Sequence, residues 1–153
     1  MSASRERAAV GLWVRLAKCY GLVLREVRDA QADSKVTLAQ FDVLAQLLRH
    51  EDGMTVGQLS AVLLVTAGNV TGLVDRMSAR GWVTRRASVD DQRVRIVRLT
   101  AAGRRIAVRE VQRQEELLGR VFGALSKSEQ SSLSLQLDRV RQLLEASRSV
   151  ADA

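Results

Sequence analysis

The chain contains no proline, one cysteine (Cys19), one histidine (His50) and only 3% aromatic residues. A lone cysteine cannot close an intramolecular disulfide, and one histidine cannot anchor the usual zinc-ligand clusters. Neither a disulfide framework nor a structural metal is therefore expected, and no cofactor. Enzyme chemistry finds little footing: there is no phosphate-binding glycine loop, and His50, the one conventional general base, lies between Arg49 and Glu51 at the exposed end of a helix. No run approaches the roughly 18 uninterrupted apolar residues of a membrane span, and residues 1–9 lack the apolar stretch of a signal peptide. The expectation is a cytoplasmic chain with no membrane partner. The scarcity of aromatics leaves the core to Leu, Val and Ala.

What is present is positive charge, and it is concentrated. The 153 residues suit one domain with helical extensions, and the formal net charge is +7. Residues 76–109 hold ten arginines against Asp90 and Asp91, whereas the remaining residues carry 14 basic and 15 acidic side chains. One segment thus accounts for the whole excess, as a local footprint for an anionic partner does. A protein merely kept soluble by charge spreads its arginines.

Without proline, helix ends are read from caps and glycines. Val10, Trp13, Ala17, Tyr20, Leu24 and Val27 recur at steps of three and four, predicting an amphipathic helix over residues 6–30. Thr37 with Gln40 is a capping box opening a second helix, with Gly53 as its expected stop. Thr55 with Gln58 repeats the box for a short helix through Leu63, its Leu59 and Val62 facing inward. A third start at Thr66 precedes Val70, Leu73, Val74 and Met77, with Gly81 as the stop. Residues 82–86 and 93–99 alternate as β-formers around a long polar turn, predicting a protruding hairpin. Thr100 opens a long helix to about Leu125, and Ser126 with Glu129 opens the last. That last helix spaces Leu133, Leu137, Val140 and Leu144 as a coiled-coil-like seam, with a frayed tail expected from Ser149. The fold class expected is mainly α with a small β-hairpin: a winged helix-turn-helix over residues 37–100, flanked by dimerisation helices over 6–30 and 104–147.

In such a unit the second short helix enters the major groove of double-stranded DNA with its N-terminal part foremost. The entering residues here are Thr66, Ala67, Gly68, Asn69, Thr71 and Gly72. Asn reads adenine and a Thr methyl touches a thymine methyl, while Gly68 lets the backbone come close. The plainer alternatives are that Thr66 is only an N-cap, Asn69 a first-turn polar residue and Gly68 a defect costing about 1 kcal/mol relative to Ala. Arg76, further along, reaches a phosphate or lies on a solvated face. Arg93 and Arg95, two apart on a strand, point the same way and suit a narrow minor groove. Asp91 either orients an arginine or is a turn residue.

Residues 91–100 (DQRVRIVRLT) match the wing signature D-x-R-x5-L-T of the MarR (multiple antibiotic resistance regulator) family. Residues 63–77 (LLVTAGNVTGLVDRM) resemble that family's recognition helix, and residues 37–44 (TLAQFDVL) the helix before it. The resemblance covers residues 10–147. It implies a homodimer in which N- and C-terminal helices interlock, usually repressing genes from a palindromic operator. It also implies a small lipophilic or phenolic effector bound between the dimerisation helices and the winged domain, where Trp13, Ala17 and Tyr20 are candidate lining residues. Aromatics on an amphipathic helix are otherwise plain core. Many relatives carry a basic residue where this chain has Gly72. Some sense peroxide through an N-terminal cysteine, but those cysteines lie earlier on the first helix and have tyrosine partners. Cys19 has only the adjacent Tyr20, which favours a buried thiol of ordinary reactivity over a redox sensor. A rival to DNA binding is a helical interaction module whose winged domain takes an acidic protein partner.

Overall fold

The computed structural model describes residues 3–87 and 94–151, with side chains described for 6–87 and 94–147. The elements in chain order are α1 (Ala3–Gln31), α2 (Leu38–Arg49), β1 (Met54–Thr55), α3 (Val56–Leu63), α4 (Ala67–Ala79), β2 (Val83–Ala87), β3 (Arg95–Leu99), α5 (Ala101–Phe122) and α6 (Lys127–Ala151). They fall into two compact units, Met1–Glu115 and Glu116–Ala153, which divide within α5. Among the described residues, no single helix is long and apolar enough to cross a membrane.

The helix starts follow the caps. Thr37 and Thr55 each accept the N–H of the residue three on, while Gln40 and Gln58 return a carbonyl oxygen to the cap N–H at 3.0 and 2.8 Å. Each reciprocal pair satisfies two otherwise orphaned donors, worth about 1 kcal/mol. Thr66 caps α4, Thr100 caps α5, and Ser126 with Glu129 closes the box before α6.

The ends follow less well. Helix α2 stops at Arg49, not at Gly53, because a turn in which the Gly53 N–H bonds the His50 carbonyl intervenes. Gly53 instead serves the sheet: its φ is +82°, and an added Cβ would lie 2.4 Å from the Val97 carbonyl oxygen. Helix α5 ends at Phe122, before the expected Leu125, whose N–H closes a turn on the Phe122 carbonyl. Helix α6 runs to Ala151, past the expected fraying point.

The hairpin is present, and a third strand joins it. Strand β1 pairs antiparallel with β3 (Met54 opposite Val97), giving the order β1-β3-β2, with Val83 opposite Leu99 and Ala87 opposite Arg95. Two residues carry no legible period, so β1 is not predictable from pattern.

The core of the first unit is aliphatic. Leu44, Leu59, Val70, Val74, Met77 and Val97 are fully buried, each side chain contributing roughly 1.5–3 kcal/mol. Val62, expected to face inward, is half exposed, because a helix of only two turns points Leu59 alone squarely at the core. Glu110 is buried but satisfied: Ser34 Oγ donates to it at 3.1 Å and Arg109 pairs with it at 3.0 Å. Arg113 donates to the Ala30 carbonyl, so α5 is tied to the connection between α1 and α2.

Helix α1 contrasts with this core. Val27 is buried, but Val10, Trp13, Val14 and Tyr20 are exposed. Cys19 is exposed as well, correcting the expectation of a buried thiol, because nothing within the first unit covers that stretch of helix. In the second unit the predicted seam is likewise open, with Leu133, Leu137 and Leu144 exposed.

Candidate nucleic-acid interface

Helix α4 is divided lengthwise. Val70, Leu73, Val74 and Met77 are buried, which leaves Ala67, Gly68, Asn69, Thr71, Asp75 and Arg76 on the exposed side with Gly72 at its margin. Leu64, between α3 and α4, adopts a left-handed conformation (φ 55°) and turns the chain in one residue. The sequence gives no sign of this, since glycine is the residue expected there.

The polar groups on the exposed side are not equally available. Thr66 Oγ1 accepts the Asn69 N–H at 3.3 Å, which is the cap. Thr71 Oγ1 donates to the Ala67 carbonyl at 2.9 Å, turning its hydroxyl back onto the helix and leaving its methyl to meet a ligand. The Asn69 side-chain amide makes no hydrogen bond among the described residues. No side chain fills the space beside Gly68. Beside Gly72 lies the Arg76 guanidinium, 3.5 Å from where a Cβ would stand, so the arginine folds back along the helix. Asn69, Gly72 and Arg76 border a cleft between α2 and α4 that also holds Asp42. Half-burial there raises the Asp42 carboxyl above its ordinary 3.8, by desolvation.

Asp91 and Arg93 lie outside the described residues. Arg95 is exposed at the outer end of β3 and, opposite Ala87, shares the sheet face of Val83, Arg85 and Val97. Arg86 and Arg98 occupy the other face. The arginine-rich segment is thus less uniform than its charge suggests. Arg80 donates to the Lys35 carbonyl at 3.2 Å and lies 5.0 Å from the Trp82 ring centroid, Arg104 pairs with Glu51 at 3.1 Å, and Arg109 serves Glu110. Arg85 pairs with Asp75 at 2.5 Å and donates to the Thr71 carbonyl at 3.2 Å. Among the described residues, Arg86, Arg95, Arg98 and Arg105 make no such bond. Sequence reading missed the Asp75–Arg85 pair. Its only signal is two opposite charges on either side of a helix-to-strand turn.

The expected lining residues Trp13, Ala17 and Tyr20 lie exposed on α1, and none borders the cleft beside α4. Trp13 and Tyr20 are 66% and 67% exposed, so within one chain they are not core.

A short helix, a tight turn, a second helix with one buried side, and a three-stranded wing define a winged helix-turn-helix protein. Residues 34–94 match the sequence model of the MarR family. The transcriptional activatory protein BadR of Rhodopseudomonas palustris is 34% identical over 97 residues, 62% of this chain and 55% of BadR; the match spans about half of that relative's length. A MarR family protein from Bacillus stearothermophilus superposes with a TM-score of 0.73 at 28% identity, over 92% of this chain and 97% of that one. A variant of Escherichia coli MarR, solved with operator DNA, gives 0.71 at 26% identity over 92% and 99%. The winged part of the chain thus matches the MarR family, and its fold is that of MarR-family transcriptional regulators.

Proposed function

We propose that the chain is a sequence-specific DNA-binding regulator that acts as a homodimer on a pseudo-palindromic operator and represses by occupying it. The observation that carries this reading is α4: four apolar residues lock it into the core while its N-terminal turns stand clear of the chain. The similarity to a MarR solved with operator DNA supports the same use. Asn69 is the residue that reads a base, its amide able to bond adenine in two places. The Thr71 methyl adds apolar contact, and Thr66, Gly68 and Gly72 bring the helix backbone close. Arg76 swings from Gly72 to a phosphate, and the wing carries Arg93 and Arg95 toward the minor groove, with Asp91 orienting them. The exposed apolar sides of α1 and α6 are covered by the second copy, and a small lipophilic or phenolic effector binds beside Trp13, Ala17 and Tyr20 in that dimer.

Selection from a randomised duplex library, followed by salt titration, tests this. The expected result is a two-fold-related site whose affinity falls steeply with salt as counterions are released. Asn69→Ala should cost about 1–3 kcal/mol and relax preference at one position per half-site. Salt-independent binding, or none across the library, rejects the reading. A promoter fusion then fixes the sign of regulation: activation, the role that BadR's name gives that protein, would overturn the repressor assignment.

A further inference from the structure

One guanidinium joins the wing to the exposed side of α4. Arg85, on β2, donates through Nη1 to Asp75 Oδ1 at 2.5 Å and through Nη2 to the Thr71 carbonyl at 3.2 Å. The two acceptors stand one helical turn apart on α4, a spacing that the rigid arginine fork spans and a single lysine ammonium does not. The base of the fork is fixed as well. Arg85 sits opposite Val97 on the sheet face of Val83 and Val97, which are buried at 2% and 0% exposure.

We propose that Arg85 and Asp75 are a positioning pair that sets the pitch of α4 against the wing, so that the base-reading turns and the wing arginines meet DNA as one rigid head. This rests on the DNA-binding reading above. Arg95 lies on the same sheet face as Arg85, one step further out opposite Ala87, while Thr71 is both an acceptor of the fork and a neighbour of Asn69. A rotation of α4 about its axis would therefore move Asn69 relative to Arg95, and the fork resists that rotation. The pair also cancels the one acid on the exposed side of α4, where an unpaired carboxylate would face phosphate. Its side chains are 31% and 56% exposed, and ion pairs so placed add little to stability. Its consequence is orientation.

Simple electrostatics and the clamp make opposite predictions for Asp75→Ala. Deleting an acid from a DNA-facing surface tightens binding if charge is all that matters; removing half of a clamp weakens it. The experiment compares Asp75→Ala, Arg85→Ala, Arg85→Lys and the double alanine variant for operator affinity at several salt concentrations. Melting temperature, and amide hydrogen exchange of α4 without DNA, are measured alongside. The expected result is a loss of about tenfold in operator affinity for each single variant, with the double variant no worse than either. Melting temperature and salt slope stay unchanged, and exchange over residues 71–75 is faster. Unchanged or tighter binding by Asp75→Ala overturns the proposal. So does full affinity in Arg85→Lys together with a salt slope lowered by about one in Arg85→Ala, the mark of a phosphate contact. If the wild-type chain binds no duplex, the functional reading fails by itself. The exchange data then still decide the clamp, which is overturned if the single variants exchange as the wild type does.

Discussion

Helices α4 and α1 have the same kind of sequence and opposite fates. Both space apolar residues at three and four. In α4 those residues are closed off within one chain: Val70, Val74 and Met77 have no exposure and Leu73 has 8%. Among the described residues of α1 only Val27 is comparably buried, at 7%, while Trp13 and Tyr20 remain two-thirds exposed. Amphipathic spacing says that a helix buries one side. It does not say against which molecule. On the function proposed above, the intramolecular side of α4 fixes the reading head, and the open side of α1 is the surface that a second copy would complete.

Two substitutions break that contrast, and their dependence on protein concentration tells them apart. Met77→Ala should cost about 2–5 kcal/mol by denaturant unfolding, by the same amount at every protein concentration, because the cavity lies within one chain. A loss under about 1 kcal/mol would mean that the side of α4 against the core is not what holds it. Trp13→Glu should weaken self-association by at least about 2 kcal/mol, read by sedimentation, while leaving the winged core folded. Its melting temperature should then be lower, and depend less on concentration, than that of the wild type. An unchanged sedimentation profile would remove α1 from the interface.

The features legible in the sequence are those decided within a few residues. Thr37, Thr55, Thr66, Thr100 and Ser126 announce helix starts because a hydroxyl and the N–H three residues on are brought together by local geometry alone. The buried side of α4 is legible for the same reason. What escapes depends on distant chain. Strand β1 exists because β3 offers it an edge more than 40 residues later, and Gly53 is needed because the Val97 carbonyl passes there, not because α2 ends there. Gly103 is of the same kind: a Cβ on it would stand 1.9 Å from the Trp82 carbonyl oxygen, where the start of α5 crosses the strand entrance. The arginine cluster is the instructive case. Its position was readable, but the division of labour within it was not. Arg80, Arg85, Arg104 and Arg109 bind the protein itself, and their partners Lys35, Asp75, Glu51 and Glu110 lie on other elements or are buried by them.

The smallest expected effect concerns an acid of α2 that borders the cleft beside α4. Asp42 is half-buried in the cleft that Asn69 and Arg76 also border, and no ion pair compensates it among the described residues. Desolvation raises its carboxyl above the ordinary 3.8, so the folded state holds the proton more tightly than the unfolded chain. The contribution to stability is therefore fully present below the unfolded value and is lost as pH rises through the raised folded value. Asp42→Asn removes the ionisation while keeping the shape. It should raise the urea midpoint modestly at pH about 7 and leave it unchanged at pH about 2.5, where the carboxyl is largely neutral in both states. A lower midpoint for the variant at neutral pH would show instead that the carboxylate is held by a favourable contact in that cleft. The α2–α4 side would then be less purely apolar than its buried residues make it.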